Sequence, residues 1–335
     1  MGHIRGLGYL RVQSRDLARW RELTVGALGL QEVPGSTPDA LHLRMDERAS
    51  RMVVEPGDTD ALLAVGWEVR DQFALAAVGR ALNAAGTPVR ELDLVECAQR
   101  RIEAGIRFAD PSGTPVEVFF GPVLDHSPVR TGHGQRFSTG ELGMGHVVLP
   151  SAYVEEAVSF YTEVLGFVPR GSIRLGTAIG QPRRGRSAPM VAADEALADD
   201  TLLERPERIR FLGVNSRHHS LAVCPASQER VPGILALGIE VDSLDAVGMA
   251  LDAVEAADFS LSSTLGRHTN DRMVSFYVRV PGGWDVQYGT DSIRVDESTY
   301  TSEEITRSSF WGHSWRGDDP RSTRNPSKTT PQEHL

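Results

Sequence analysis

One pattern occurs four times along the chain, and it limits the possible folds more than any other feature. Gly8-Tyr9-Leu10-Arg11-Val12 reads as a strand, Asp16 to Leu28 as an amphipathic helix, and Gly29-Leu30-Gln31-Glu32-Val33 as a return to strand. The same order recurs at Gly145-His146-Val147-Val148-Leu149, Val154 to Leu165 and Gly166-Phe167-Val168. The two copies open on similar tripeptides, Gly6-Leu7-Gly8 and Gly143-Met144-Gly145. Two more copies follow: strand Leu63 to Val69 with helix Phe73 to Ala85, and strand Leu235 to Val241 with helix Leu244 to Ala257. Self-similarity at this spacing predicts repeated supersecondary units. We expect an α+β protein of two tandem domains, each made of two βαβββ units. The boundaries are residues 1–125, a polar linker at 126–140, a second domain at 141–316, and a tail at 317–335 too poor in apolar residues to pack.

The domains also end alike. Asp110-Pro111-Ser112-Gly113-Thr114-Pro115-Val116-Glu117-Val118-Phe119 aligns with Val280-Pro281-Gly282-Gly283-Trp284-Asp285-Val286-Gln287-Tyr288-Gly289. The alignment sets Tyr9 opposite His146 and Glu117 opposite Gln287. In Met273 to Val280 the residues Val274, Phe276, Val278 and Val280 alternate with Ser275, Tyr277 and Arg279, the period of a half-buried strand. After the Pro281-Gly282-Gly283 turn, Trp284, Val286 and Tyr288 alternate with Asp285 and Gln287. Polar side chains of neighbouring strands therefore face the same way, beside His268 and Asp271 in the preceding loop, and such convergence marks a ligand or metal site.

Thirty-five basic and 45 acidic residues give a net charge of −10, which argues against a nucleic acid or an anionic membrane as partner. The run Gln181 to Arg186 is too short to change that and reads as a solvated loop. Cys97 and Cys224 form no Cys-x-x-Cys pair and imply no disulfide framework, so a reducing cytoplasm is expected. No apolar run reaches the ~18 residues of a membrane helix, and Met1 to Gly8 has no signal core.

Four segments then narrow the reading: Gly143-Met144-Gly145-His146-Val147-Val148-Leu149, Asn215-Ser216-Arg217-His218-His219-Ser220-Leu221-Ala222, Gly266-Arg267-His268-Thr269-Asn270-Asp271 and Val274-Ser275-Phe276-Tyr277. Together and in this order the chain resembles the type I extradiol ring-cleaving dioxygenases, the two-domain dihydroxybiphenyl and catechol dioxygenases of the vicinal oxygen chelate superfamily. The resemblance runs to about Trp311. It implies a curved, incomplete barrel in each domain, an inactive N-terminal domain, and a mononuclear Fe(II), with Mn(II) as the alternative, in the C-terminal one. It also implies a catechol-like aromatic and dioxygen as substrates, and a homo-oligomer.

Carried over by motif, the resemblance makes His146 and His219 metal ligands and puts the third ligand at position 287. His268 and Tyr277 would contact the bound substrate or oxygen, Asp271 and Asn270 would orient their loop, and His218 and Arg217 would support the second ligand. Periodicity alone does not choose between His218 and His219, because neighbours on a strand point to opposite faces. Two departures stand out. Position 287 is Gln where the family pattern has Glu, and no histidine lies between Val147 and Arg217, where the family's additional acid/base histidine would be. Acid/base work would then fall to His268, His218, Tyr277, the substrate or water, with Glu204 and Arg210 as nearby polar groups whose direction the sequence does not give. Asp285 shares the face of Gln287 but would need a register change to replace it. His3, His42, His126, His133, His313 and His334 are expected at the surface or in local hydrogen bonds. Beside ring cleavage stand two alternatives: another oxidative conversion or rearrangement at a His-His-Gln metal site, and a metal-free protein that binds or sequesters a small molecule.

Overall fold

The computed structural model describes residues 2–35, 39–175, 207–227 and 231–316. The solvated-loop reading of 181–186, the tail at 317–335, Glu204 and His334 lie outside the described residues. The four predicted units are all present. The first is β1 (Ile4–Ser14), α1 (Leu17–Arg21), β2 (Gln31–Val33), β3 (Leu41–Arg44) and β4 (Met52–Pro56). The second is β5 (Ala61–Val69), α2 (Gln72–Ala84), β6 (Arg90–Glu91), α3 (Leu94–Arg100), β7 (Ile102–Ala109) and β8 (Pro115–Pro122). The third is β9 (His146–Ser151), α4 (Val154–Ser159), β10 (Val168–Arg174), β11 (Arg208–Gly213) and β12 (Leu221–Pro225). The fourth is β13 (Ala236–Glu240), α5 (Leu244–Ala256), β14 (Leu261–His268), β15 (Val274–Arg279) and β16 (Asp285–Thr290), followed by β17 (Glu303–Ile305) and β18 (Ser309–Gly312).

Local chemistry starts and stops these elements. Asp16, Asp71 and Ser243 cap α1, α2 and α5 by accepting a backbone N–H three residues on. Helices α1 and α4 each run on into a π-helical turn, and these turns are followed by Gly29 and Gly166 with φ of 74° and 76°, a conformation that glycine enters without steric cost. Helix α5 buries Ala246, Val247, Ala250 and Val254, one stripe at helical spacing.

The strands form two sheets, in the orders β2-β3-β4-β1-β5-β8-β7-β6 and β17-β10-β11-β12-β9-β13-β16-β15-β14-β18. Without the edge strands β17 and β18, the second order repeats the first strand for strand. One hydrophobic core extends through both halves: the Trp20 and Trp284 rings are 5.5 Å apart, and Trp67 meets Phe167 edge-on at 5.0 Å. The segment between the halves is partly woven in. Gln135 is buried and its amide reaches Leu28 O and Tyr288 Oη at 3.2 and 3.3 Å, while Phe137 bridges to Val241.

Two local expectations need correction. β15 and β16 are not half-buried, because Ser275, Tyr277, Asp285 and Gln287 on their polar face are as enclosed as the apolar side chains opposite. Strand β18 and the residues after it pack beyond β14, and Trp315 covers Tyr277 with 4.6 Å between ring centres. His42 and His313 are buried, so of the two settings expected for them the surface one does not hold, while His313 does make a local hydrogen bond, with Ser309 Oγ. No helix among the described residues is long and apolar enough to cross a membrane.

Candidate active site

Three strands of the second sheet build the floor of the site. β13 lies between β9 and β16, and Gly238 is in register with His146 on one side and Gln287 on the other. Val147, Leu149, Val286 and Tyr288 turn into the main core, which by strand alternation leaves His146 and Gln287 on the opposite face. A Cβ at Gly238 would lie 2.1 Å from the His146 ring, so only glycine lets the imidazole lie across this strand. The next residue of β13 on that face is Ala236, packed with Val148, Ile209, Phe211 and Tyr277. On the other side of Gly238 the same face carries Glu240, which is bound by Arg217 and Arg294 and does not line the pocket.

His146 Nε2 is 3.0 Å from Gln287 Oε1, and the Gln287 amide nitrogen donates to Ser275 Oγ at 2.9 Å and lies 3.6 Å from Met273 Sδ. His219, just before β12, has its ring centre 4.2 Å from that of His146 and 4.8 Å from Phe211. Its Nδ1 faces His218 Nδ1 at 3.1 Å and Asp271 Oδ2 at 4.0 Å. This contact with Asp271 is not an ion pair, because burial pushes the His219 imidazole well down and the Asp271 carboxyl up. His146 is pushed down to about 3, chiefly by burial and then by the charge of Arg217. Both imidazoles are therefore neutral near neutral pH, the form in which histidine binds a metal.

A second cluster comes from β14 and β15. Ser308 O can only accept, so its 3.1 Å contact places the His268 proton on Nδ1, which makes Nε2 the acceptor for the Tyr277 hydroxyl at 2.8 Å. His313, missed in the sequence, stacks on His268 with ring centres 4.0 Å apart. Its Nε2 donates to Ser275 O at 3.0 Å, and its Nδ1 accepts from Ser309 Oγ at 2.7 Å. The pocket in front of these clusters encloses about 550 Å³, part of it open to solvent. It is lined by His146, His219, His268, Asn270, Asp271, Tyr277 and Gln287, with apolar walls from Val148, Ile173, Leu175, Ile209, Phe211, Ala222 and Trp315. The Asn270 amide oxygen is buried here without a hydrogen-bond partner among the described residues.

The predicted site residues thus converge on one pocket, except for Arg217, which pairs with Glu240, and His218. His218 points the other way, towards Tyr300 Oη at 3.0 Å. Of the polar groups left unaimed, Arg210 pairs with exposed Glu155 at 2.8 Å, and Asp285 is held by Arg279 and Ser262 at 2.6 Å each. The wall residues Ile173, Ile209 and Phe211 carried no sequence signal beyond strand character. His313 carried no local signal either.

Residues 7–57 match the model of the first domain of dihydroxybiphenyl dioxygenase BphC, and residues 143–288 match that of the glyoxalase/bleomycin resistance protein/dioxygenase superfamily. An iron-dependent extradiol dioxygenase of Rhodococcus jostii (strain RHA1) is 40% identical over 311 residues, which cover 92% of this chain and 97% of the relative. The chain belongs to the extradiol dioxygenase family. A biphenyl-2,3-diol 1,2-dioxygenase of Metapseudomonas furukawaii is 37% identical over 92% of this chain and 93% of its own length. Among solved structures, a catechol 2,3-dioxygenase superposes with a TM-score of 0.80 at 28% identity, covering 96% of this chain and 98% of the other. A halotolerant catechol dioxygenase, BphC, gives 0.79 at 30% identity over 93% and 95%. This extradiol family member is accordingly an enzyme of the non-haem dioxygenase type.

Family membership implies a metal, and the pocket can be tested for it. A separation of 3.0 Å between His146 Nε2 and Gln287 Oε1 is what two adjacent ligands need if each is ~2.1 Å from one ion. His219 is close enough to complete a one-sided set. Position therefore fits, but charge departs from the family pattern: the donors are two neutral imidazoles and a neutral amide. Among the described residues no group of three or more His, Cys, Asp or Glu side chains could hold a metal.

Proposed function

We propose that this extradiol dioxygenase opens the ring of a catechol-like aromatic with dioxygen, using a single Fe(II), or Mn(II), held by His146, His219 and Gln287. The metal, when bound, supplies a Lewis acid with open positions for two adjacent substrate oxygens and for dioxygen. The protein's own residues do the rest. The apolar walls take a flat ring and keep bulk water from the floor. The Tyr277 hydroxyl and His268 Nε2 form a chain that can take up a substrate hydroxyl proton and return it, in place of the family's additional acid/base histidine. Ser308 O and the stacked His313 fix His268 for this role. Asn270 offers an acceptor to a substrate hydroxyl, and Asp271, bonded to the Met273 N–H at 3.0 Å, holds the loop. His218 supports His219 from behind. In this reading residues 141–316 form the catalytic domain, 1–125 the non-catalytic one and 126–140 their link, and the enzyme assembles as a homo-oligomer.

The observation that carries this reading is the convergence of His146, His219, Gln287, His268 and Tyr277 on one largely apolar pocket. Anaerobic loading with Fe(II), followed by air and a panel of catechols, tests it. Yellow ring-fission products are the expected result. The lack of any carboxylate in the donor set favours a second reading, in which the pocket binds the aromatic without metal. Bound catechol with neither stoichiometric metal nor turnover would establish that one.

A further inference from the structure

We propose that the metal and an anionic ortho-diol load this pocket together, each raising the affinity of the other. The proposal rests on the reading above and deepens it. The three available donors, His146, His219 and Gln287, are buried and bring no negative charge. On that face the central strand carries Ala236 and Gly238 beside them and Glu240 at its end. Nearby carboxylates are committed elsewhere: Glu240 to Arg217 and Arg294, and Asp285 to Arg279 and Ser262. Asp271 reaches His219 only through Nδ1, at 4.0 Å, and its other contacts hold the loop. Arg217, two residues before His219, is buried with its charge paired to Glu240.

A divalent ion placed alone on these donors would leave two positive charges uncompensated in a poorly solvated site, and that is costly. A catechol that has lost its protons carries the missing charge on two adjacent oxygens, the geometry that one ion can bind. Such a diol converts an unfavourable cation site into a near-neutral one. Because coupling between two ligands is reciprocal, the metal must tighten the diol by the same factor. With Glu at position 287 the protein would supply part of this charge before substrate arrives; with Gln287 the substrate supplies it.

The test is anaerobic equilibrium dialysis of the full chain against buffered free Fe(II), with and without 4-nitrocatechol, whose absorbance reports coordination and whose turnover is blocked without oxygen. We expect the apparent Fe(II) affinity to rise about tenfold or more with 4-nitrocatechol present, with a matching gain in 4-nitrocatechol affinity when Fe(II) is present. Gln287→Glu should tighten Fe(II) in the absence of 4-nitrocatechol and shrink the coupling to about threefold or less, with thermal melts confirming its fold. Stoichiometric Fe(II) bound equally with and without 4-nitrocatechol overturns the coupling but leaves the metal reading standing. No Fe(II) under either condition overturns both. If Gln287→Glu does not fold, the wild-type comparison decides alone.

Discussion

Tyr9 donates its hydroxyl to Glu117 across 2.5 Å, in the same place of the first sheet that His146 and Gln287 occupy in the second. The match extends to the strand between them: Gly66 is in register with Tyr9 and Glu117 as Gly238 is with His146 and Gln287, and a Cβ at either glycine would strike the ring beside it. In the first half the carboxylate is closed off by Arg100 at 2.6 Å and Arg107 at 3.5 Å. That half has filled its site with an ion pair, while the second has kept a pocket and given up the charge.

From this contrast follows the behaviour of Gln287→Glu. Among the described residues no arginine is bonded to position 287 as Arg100 is to Glu117, so a carboxylate there is buried without a direct ion-pair partner. We expect the metal-free variant to lose about 2–4 kcal/mol of stability and to regain most of it with Fe(II), read as paired thermal melts under anaerobic conditions. A metal-free variant as stable as wild type would mean that the carboxylate finds a partner already in the protein.

Gly238→Ala should displace the His146 ring, since the new methyl has nowhere else to go. A cost of about 1–3 kcal/mol in urea unfolding is expected, together with weaker metal uptake. Gly248→Ala, on an open face of α5 where a Cβ meets nothing within 4 Å, is the control and should be neutral or slightly stabilising.

Tyr277→Phe and His268→Gln interrupt one proton path at two points. Each should lower kcat by about 10²–10⁴ while changing KM far less, and the double variant should be little worse than the more damaged single one. Additive losses would show two separate roles.

His313 is pushed down to about 2, first by burial and then by its neighbour His268, so the folded protein holds it neutral where the unfolded chain would protonate it below about 6.5. The unfolded state then binds the extra proton, and stability contributed by this site is present above pH 6.5 and is lost as the pH falls from there towards 2. This histidine contributes a slope of up to about 1.4 kcal/mol per pH unit, added to those of the buried His146 and His219, and the metal-free protein should show a flatter dependence by that share in His313→Gln, in urea titrations between pH 4 and 7.

Much of this architecture was legible because a strand–helix–strand grammar written four times leaves few folds open, and capping residues such as Asp71 and Ser243 mark where each helix starts. His146, His268, Tyr277 and Gln287 could be singled out because strand alternation fixes a face and motif order fixes a partner. The histidine pair shows where periodicity stops: by alternation His218 and His219 have equal claims, family position selects His219, and packing turns His218 towards Tyr300. His313 was out of reach for a different reason. Its burial depends on β18 pairing beyond β14 and closing the polar face of β15, a contact between segments more than thirty residues apart that no local pattern encodes.

The tryptophan contacts that join the halves have a practical consequence. Trp20 leans on Trp284, three residues before Gln287 on the same turn-and-strand segment, and Trp67 meets Phe167 next to the start of β10, which supplies the pocket wall. In the proposed reading, in which the first half holds no ligand, that half serves as the foundation of the other. Damage to its interior, such as Trp20→Ala, should register as a loosened catalytic pocket long before the protein unfolds, and residues 141–316 expressed alone would present an apolar face where the missing half belongs.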